Sequence, residues 1–472
     1  MTKFLLLLTT AATLAACSAG PDYVPPKALG ATPFIAASYR QVSTATPLHN
    51  DWWRLYDDPV LDGLVRDALA ANTDIRVSIA RLERARAQLG GARSALYPST
   101  TIAGSAIDQQ IPAYEVFPGE GRRFWSVDGG LNVNYEVDLF GRVRRSLQAA
   151  HGDLRAAAFD LDAVRVEVIA DTVRAYADAA AAARQIEVAR QTVGLLDRSI
   201  RVTGDRVDAG RSERLDLIRI TALRDQRQAV VAPLEAERDA ALFRLATLTG
   251  RAPRDLPGAA AIRTTPLQLE QPIPVGDGRA LIARRPDVHE AEQRLAADTA
   301  RIGVATADLY PRISLLGQVG ATSASLSDAF GGGAFRWAVG PSVSWDFPNI
   351  LATRARIREA KADTKADLAN FDGTVLTALR ETETALSAYG HEIDRHQALL
   401  AARDEAQRAA TASVNRQKEG TIDFLTVLDA ERTLADSQGD LAASDARIAF
   451  DQVDVFKALG GGWQTPTEVA NK

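Results

Sequence analysis

The chain holds one cysteine, Cys17, and one methionine, Met1. A lone cysteine cannot close an internal disulfide, and a free thiol exposed in an oxidising compartment is a liability, so Cys17 calls for another use. Beyond the N-terminus no run of about twenty apolar residues occurs, so no transmembrane helix is available and any membrane crossing falls to strands. Charge of one sign is missing too. With 55 Lys and Arg against 60 Asp and Glu, the net charge of −5 provides no basic field to attract nucleic acid. Catalytic signatures are equally scarce. The histidines, His49, His151, His289, His391 and His396, include no pair at the four-residue step of a helical zinc site. No glycine loop followed by Lys-Ser or Lys-Thr and no Gly-x-Ser-x-Gly elbow is present, and Gly331-Gly332-Gly333 reads as a loop rather than a cofactor cradle. The expectation is a protein that is not an enzyme, with no metal and no cofactor.

What is present begins with a secretory signal over residues 1–16: Lys3 is its positive end, Phe4 to Leu8 its apolar stretch, and Leu14-Ala15-Ala16-Cys17 a small-residue cleavage box of the lipoprotein kind. Cys17 is therefore the expected lipid-attachment residue. Met1 leaves with the signal, which removes any thioether relay for copper(I). The 472 residues, 46% hydrophobic, suffice for two or three domains.

The mature sequence is a tandem duplication. Asp74 and Tyr97-Pro98 recur as Asp287 and Tyr310-Pro311, shifted by 213; Gly210 and Gly250 recur as Gly420 and Gly460, shifted by 210. The expected organisation is a lipidated segment over 17–60, a first repeat over 61–250, a proline-rich extended linker over 251–278, a second repeat over 279–460 and a tail over 461–472. Each repeat runs helix, two strands, a very long helix, a glycine turn and a returning helix. The long helices, Arg142 to Asp208 and Ala352 to Glu419, contain no proline, and at 1.5 Å per residue each could extend roughly 100 Å. Their Ala-rich seams suit close side-by-side packing in a coiled coil. Hairpins are expected over about 142–248 and 352–459.

Strict alternation marks the strands, which are expected at about 99–139 and 312–347. Trp125, Val127, Leu131, Val133, Tyr135, Val137 and Leu139 oppose Ser126, Asp128, Asn132, Asn134, Glu136 and Asp138; Trp337, Val339, Val343, Trp345 and Phe347 oppose Ser342, Ser344 and Asp346. A half-buried soluble sheet would alternate in this way, and so would a transmembrane barrel with one face to lipid and one to water. The lipoprotein signal and the long rods favour the barrel. Four strands cannot close one, so the chain must oligomerise. A lipid-tethered coiled-coil scaffold in the periplasm would explain the rods and Cys17 but not the strands.

The order of motifs resembles the TolC family of outer-membrane factors, in its lipoprotein efflux branch (OprM- or NodT-like). The matching segments are Cys17 with Gly20-Pro21-Asp22-Tyr23-Val24-Pro25-Pro26, Asp51-Trp52-Trp53, Tyr135 through Arg142, Leu309-Tyr310-Pro311, and Gly420 through Arg432. The resemblance implies a mainly α fold with a transmembrane β-barrel completed by a homotrimer, and a passive exit duct for toxic compounds in the outer membrane, its helices extending into the periplasm. Metal ions or a secreted polypeptide are alternative cargoes. The implied partners are a periplasmic membrane-fusion adaptor, an inner-membrane transporter and outer-membrane lipid. Ser18, by resemblance to bacterial lipoproteins, permits transport to the outer membrane. The turns, with Gly210, Ser212, Glu213, Gly420, Thr421 and Asp423, are the implied adaptor contact, and all four side chains there are expected to be exposed. Leu425, Asp429 and Arg432 match the family's constriction and share one helix face. An ordinary intrahelical ion pair between the last two is the plainer reading. The enterobacterial type has a second aspartate where Thr426 stands here, so no double acidic ring is expected.

Overall fold

A computed structural model of the chain describes residues 18–26, 34–35, 42–43, 50–117, 119, 121–269, 271–275, 278–348 and 350–461. The signal segment, Cys17 and nearly all of the tail lie outside the described residues. Among the described residues, nine α-helices and six strands follow in order: β1 (Val42–Ser43), α1 (Pro59–Ala71), α2 (Thr73–Ser94), β2 (Ser99–Gln110), β3 (Arg123–Val137), α3 (Arg142–Asp208), α4 (Arg214–Ala229), α5 (Val231–Leu248), β4 (Ile273–Pro274), α6 (Gly278–Ile282), α7 (Pro286–Ala307), β5 (Arg312–Ser323), β6 (Phe335–Ser344), α8 (Ile350–Lys418) and α9 (Phe424–Ala458). The long helices α3 and α8 contain 67 and 69 residues. Among the described residues no helix is long and apolar enough to cross a membrane.

The repeats do not fold as separate bodies. One compact unit gathers 18–26, 81–158 and 290–371; the other takes the rest of the described chain from 34–80, 159–289 and 372–461, so each unit draws on both repeats.

The first unit contains the antiparallel sheet, in the order β2-β3-β5-β6. Asp138 ends β3 and starts α3, its carboxylate accepting the Val143 and Arg144 amides at 3.0 Å each, an N-terminal cap placed by the sequence Asp-Leu-Phe-Gly-Arg. Phe140 stacks on Tyr310 of the second repeat at 4.6 Å.

The second unit holds the main core. Trp52 is 1% exposed and stacks on Phe456 at 4.5 Å, which accounts for the Asp-Trp-Trp motif. Around it pack Leu61, Val65, Ile169, Tyr176, Leu245, Leu267, Ile273, Leu386 and Val453. Asp58 caps α1 through the Val60 and Leu61 amides and also receives the Tyr176 hydroxyl and Arg263.

Two local features differ from expectation. The helix returning from the first turn is broken at Val230 rather than continuous to Leu248. Pro233 explains it, because a helical proline lacks the amide and its ring clashes with the carbonyl four residues back, here Ala229. The linker is not wholly extended. It forms short 3-10 turns at Pro253–Asp255 and Gly258–Ala261, then pairs β4 with β1 in a two-stranded parallel sheet.

Candidate functional site

The register of the sheet carries one largely apolar face across all four strands, with Asp108 and Arg123 paired at one end of it and Ile107, Phe124 and Leu316 on the other side. Ile102 lies opposite Leu131, Leu131 opposite Val319, and Val319 opposite Trp337. Because side chains alternate along a strand, this aligns Ile102, Ala106, Trp125, Val127, Leu131, Val133, Tyr135, Leu315, Val319, Trp337, Val339 and Val343 on one face. Trp337, Val339 and Val343 are 69%, 67% and 65% exposed. The opposite face carries Ser126, Asp128, Asn132, Asn134, Gln318, Thr322, Arg336, Ser342 and Ser344. There Arg336 donates to the Asp128 carboxylate at 2.8 Å, the Thr322 hydroxyl donates to it at 2.6 Å, and Arg336 also donates to Thr322, so one charged cluster spans β3, β5 and β6. Among the described residues β2 and β6 have no outer neighbour. An apolar face this open suits hydrocarbon rather than water, whereas unpaired edges do not.

The helical end of the second unit is built from two related turns. Gly210 and Gly420 have φ of 72° and 78°. Each closes its helix in the same way: the Gly210 amide reaches the Val207 carbonyl and Arg211 that of Arg206, while Gly420 reaches Gln417 and Thr421 reaches Arg416. This capping motif requires the left-handed backbone that glycine adopts without a steric penalty. Gly250 and Gly460 repeat it at φ of 68° and 66°, so all four glycines of the duplication mark one device.

At the tips, Glu213, Thr421 and Asp423 are exposed, but Ser212 is half-buried, contrary to expectation. Asp423 caps α9 by accepting from the Thr426 amide at 3.0 Å, and the Thr426 hydroxyl and amide hold its carboxyl below the usual range. Glu213, at the matching position before α4, makes no such cap, its side chain being one carbon longer than a good cap allows.

Leu425, Asp429 and Arg432 all lie on the exposed face of α9. The ion pair between Asp429 and Arg432 is not formed. Arg432 instead reaches Asp436, 4.0 Å away, and Asp429 has no side-chain partner among the described residues. Asp436 is held more closely by Arg227 of α4, at 2.7 Å, and Ser199 of α3 donates to Glu431 at 2.7 Å. Leu196, Ile220 and Leu223 form a small core here with Leu217, Phe424 and Leu428, so α3, α4 and α9 pack as one group. Burial raises the Glu431 carboxyl, and the Ser199 hydroxyl partly offsets it.

The family described as outer membrane efflux protein matches residues 64–251 and 279–461. The chain belongs to that family. It is 32% identical over 461 residues to outer membrane protein OprJ of Pseudomonas aeruginosa, covering 97% of this chain and 95% of that one. Nodulation protein T of Rhizobium leguminosarum is 27% identical, with 96% and 92% covered. Among solved structures, the outer-membrane channel OprN is 36% identical with a TM-score of 0.89 over 95% of this chain and 100% of that one. The open-state MtrE channel of Neisseria gonorrhoeae is 27% identical with a TM-score of 0.83, covering 96% and 100%. The protein is thus an outer-membrane exit channel of the tripartite efflux type.

Sequence reasoning missed Arg336, Arg227 and Asp436. The alternation on β6 put Arg336 on the polar side, but only the strand register brings it to Asp128. Nothing local in α4 or α9 announces the pair between Arg227 and Asp436.

Proposed function

We propose that three copies of the chain close their sheets into a twelve-stranded barrel, that lipid on Cys17 adds a second anchor, and that the helices conduct cargo delivered by an inner-membrane transporter through a periplasmic adaptor docked at the Gly210 and Gly420 turns. The observation that carries this reading is the open four-stranded sheet with a largely apolar face and, among the described residues, two unpaired edges. Two copies would also satisfy the edges. However, the interior of an eight-stranded barrel is just wide enough for side chains to fill, leaving no duct, so three is the smallest useful number. The duct is passive: its charged cluster is internally paired and its cargo is handed to it. Relatives named toluene, solvent and antibiotic efflux pump outer membrane proteins, all from Pseudomonas putida, support toxic organic compounds as the cargo.

Three Leu425 side chains brought to the axis would form an apolar plug, with three unpaired Asp429 carboxylates beside it. Their mutual repulsion makes the closure easy to release or to bridge with a cation. The test is complementation of an efflux-deficient strain with this chain, its adaptor and its transporter. Restored tolerance to solvents and hydrophobic antibiotics supports the reading; restored export of metal ions or of a polypeptide alone would replace it.

A further inference from the structure

Arg145 is a buried guanidinium on the first turn of α3, its side chain 5% exposed, and nearly all its donors point at the chain's own N-terminal segment. Nε donates to the Ala19 carbonyl at 3.2 Å. Nη2 reaches the Ser18 hydroxyl at 3.1 Å, the Gly20 carbonyl at 3.4 Å and Asp22 Oδ1 at 2.7 Å. Nη1 is tied back to Gln148 at 2.9 Å, which fixes the fork. The Ala19 amide adds a bond to the Phe140 carbonyl at 3.0 Å, and the Tyr23 hydroxyl donates to Glu292 at 3.2 Å.

The seat is cut to the backbone of this segment. A Cβ on Gly141 would stand 2.8 Å from Ser18 Cβ, and a Cβ on Gly20 would stand 2.5 Å from Gly303 Cα, so the segment lies directly on α3 and α7. The duplication shows that Arg145 is not needed to build the helix. Its counterpart in the second repeat, 210 positions on, is Ala355, which is exposed. Only the repeat that receives the N-terminal segment carries the arginine.

We propose that Arg145, with Gly141 and Gly303, is a receptor for Ser18–Asp22 that holds the lipid-bearing N-terminus at the foot of β3, so that acyl chains and barrel enter the membrane at one place. The proposal rests on lipidation of Cys17, the covalent neighbour of Ser18. Arg145 acts as a positioning residue. Ser18 thereby has a role in the folded channel, its hydroxyl accepting from Arg145 and its Cβ lying where a side chain at position 141 would stand. A lysine could not replace Arg145, because one ammonium cannot span four acceptors that a planar fork reaches together.

The test uses the full chain in outer-membrane vesicles, with Ala19→Cys as reporter. Lipidation occupies the Cys17 sulfur, and fragment-ion mapping of the labelled peptide separates the reporter from Cys17 in any chain left unacylated. Arg145→Ala and, separately, Gly20→Val should raise the maleimide labelling rate of the reporter about ten- to a hundredfold, the change expected when charged hydrogen bonds no longer oppose local opening. Arg145→Lys should fall between. A control cysteine at Ala297, buried where α7 packs on Gly152, should stay protected in every variant. A photoreactive fatty acid incorporated at Cys17 should crosslink to the peptide Tyr135–Arg142 in the parent and lose that preference in Arg145→Ala. Unchanged reporter labelling in Gly20→Val, or in Arg145→Ala with Ala297 protected, overturns the receptor. If the fatty acid is not incorporated while the reporter responds as described, the anchoring role falls and the docking site stands.

Discussion

Asp451 of α9 is 2% exposed, with one carboxylate oxygen 3.1 Å from Arg447 and the other without a partner among the described residues. Burial pushes its carboxyl up to about 6; Asp454 and Glu392 add to this, and Arg447 and Arg174 oppose it. A carboxyl raised in the folded state contributes stability that is full below its unfolded value near 4 and lost as pH rises through about 6. Asp451→Asn should therefore raise the thermal midpoint at pH 7.5, by up to about 3 kcal/mol in stability, and have little effect at pH 4.5. Equal shifts at both pH values would contradict it. Gly420 makes a second case at this scale. Nothing lies within 4 Å of a Cβ placed there, so the cost of Gly420→Ala is the left-handed backbone alone, about 1–2 kcal/mol, and Gly420→Asn should cost less. Amide exchange over Leu425–Leu428 measures this, with about tenfold loss of protection for alanine; equal effects of alanine and asparagine would count against the backbone argument.

At the scale of elements, the charged cluster on the polar sheet face and the exposed face of α9 make separable predictions. Asp128 and Arg336 neutralise each other across β3 and β6. Arg336→Ala should leave a ring of carboxylates in the lumen and shift bilayer reversal potentials toward cations, whereas Asp128→Ala should shift them toward anions. Identical potentials would place the pair outside the conducting path. On α9, Leu425→Ala should raise conductance of the closed channel and Asp429→Ala should lower it by relieving the repulsion, whereas Arg432→Ala should change it less, because Arg432 pairs with Asp436, which Arg227 also holds. An effect largest for Arg432→Ala would reverse that order. The alternation of Trp125 through Tyr135 and the proline-free stretch 142–208 made the strands and rods legible in the sequence. The break at Val230 is legible too, in Pro233. What could not be read were contacts made by residues far apart in sequence: Arg336 on Asp128, Arg227 on Asp436 and Arg145 on Ser18. No local propensity encodes these, since each depends on strand register or helix packing.

At the scale of the whole molecule, the duplication supplies a rule for assembly. Within the chain, Gly303 and Ala297 of α7 lie against Arg145 and Gly152 of α3, which are buried together with Ala149 and Ala156; the counterparts on α8, Ala355, Glu359, Ala362 and Ala366, are exposed. Arg84 and Ala87 of α2 are likewise exposed, while Ala297 and Ala300, their counterparts on α7, are buried. Each repeat thus keeps a face for a neighbour that the single chain provides only once. Carrying the register of β3 on β5 to the two free edges pairs β6 with β2 of the next copy, Trp345 opposite Ile102, Val343 opposite Gly104 and Ser344 opposite Ala103. This keeps Trp345 and Val343 on the same face as Ile102 and the other large apolar residues of that side. Engineered cysteines at Ala103 and Ser344, both facing the lumen, test the central claim that three copies close one membrane channel. Mild oxidation of vesicles should link subunits into dimers and trimers on a denaturing gel, whereas Gly104 with Ser344, one residue out of register and on opposite faces, should not link. Monomers alone from the first pair, or equal linking by both, would contradict the closed three-chain barrel.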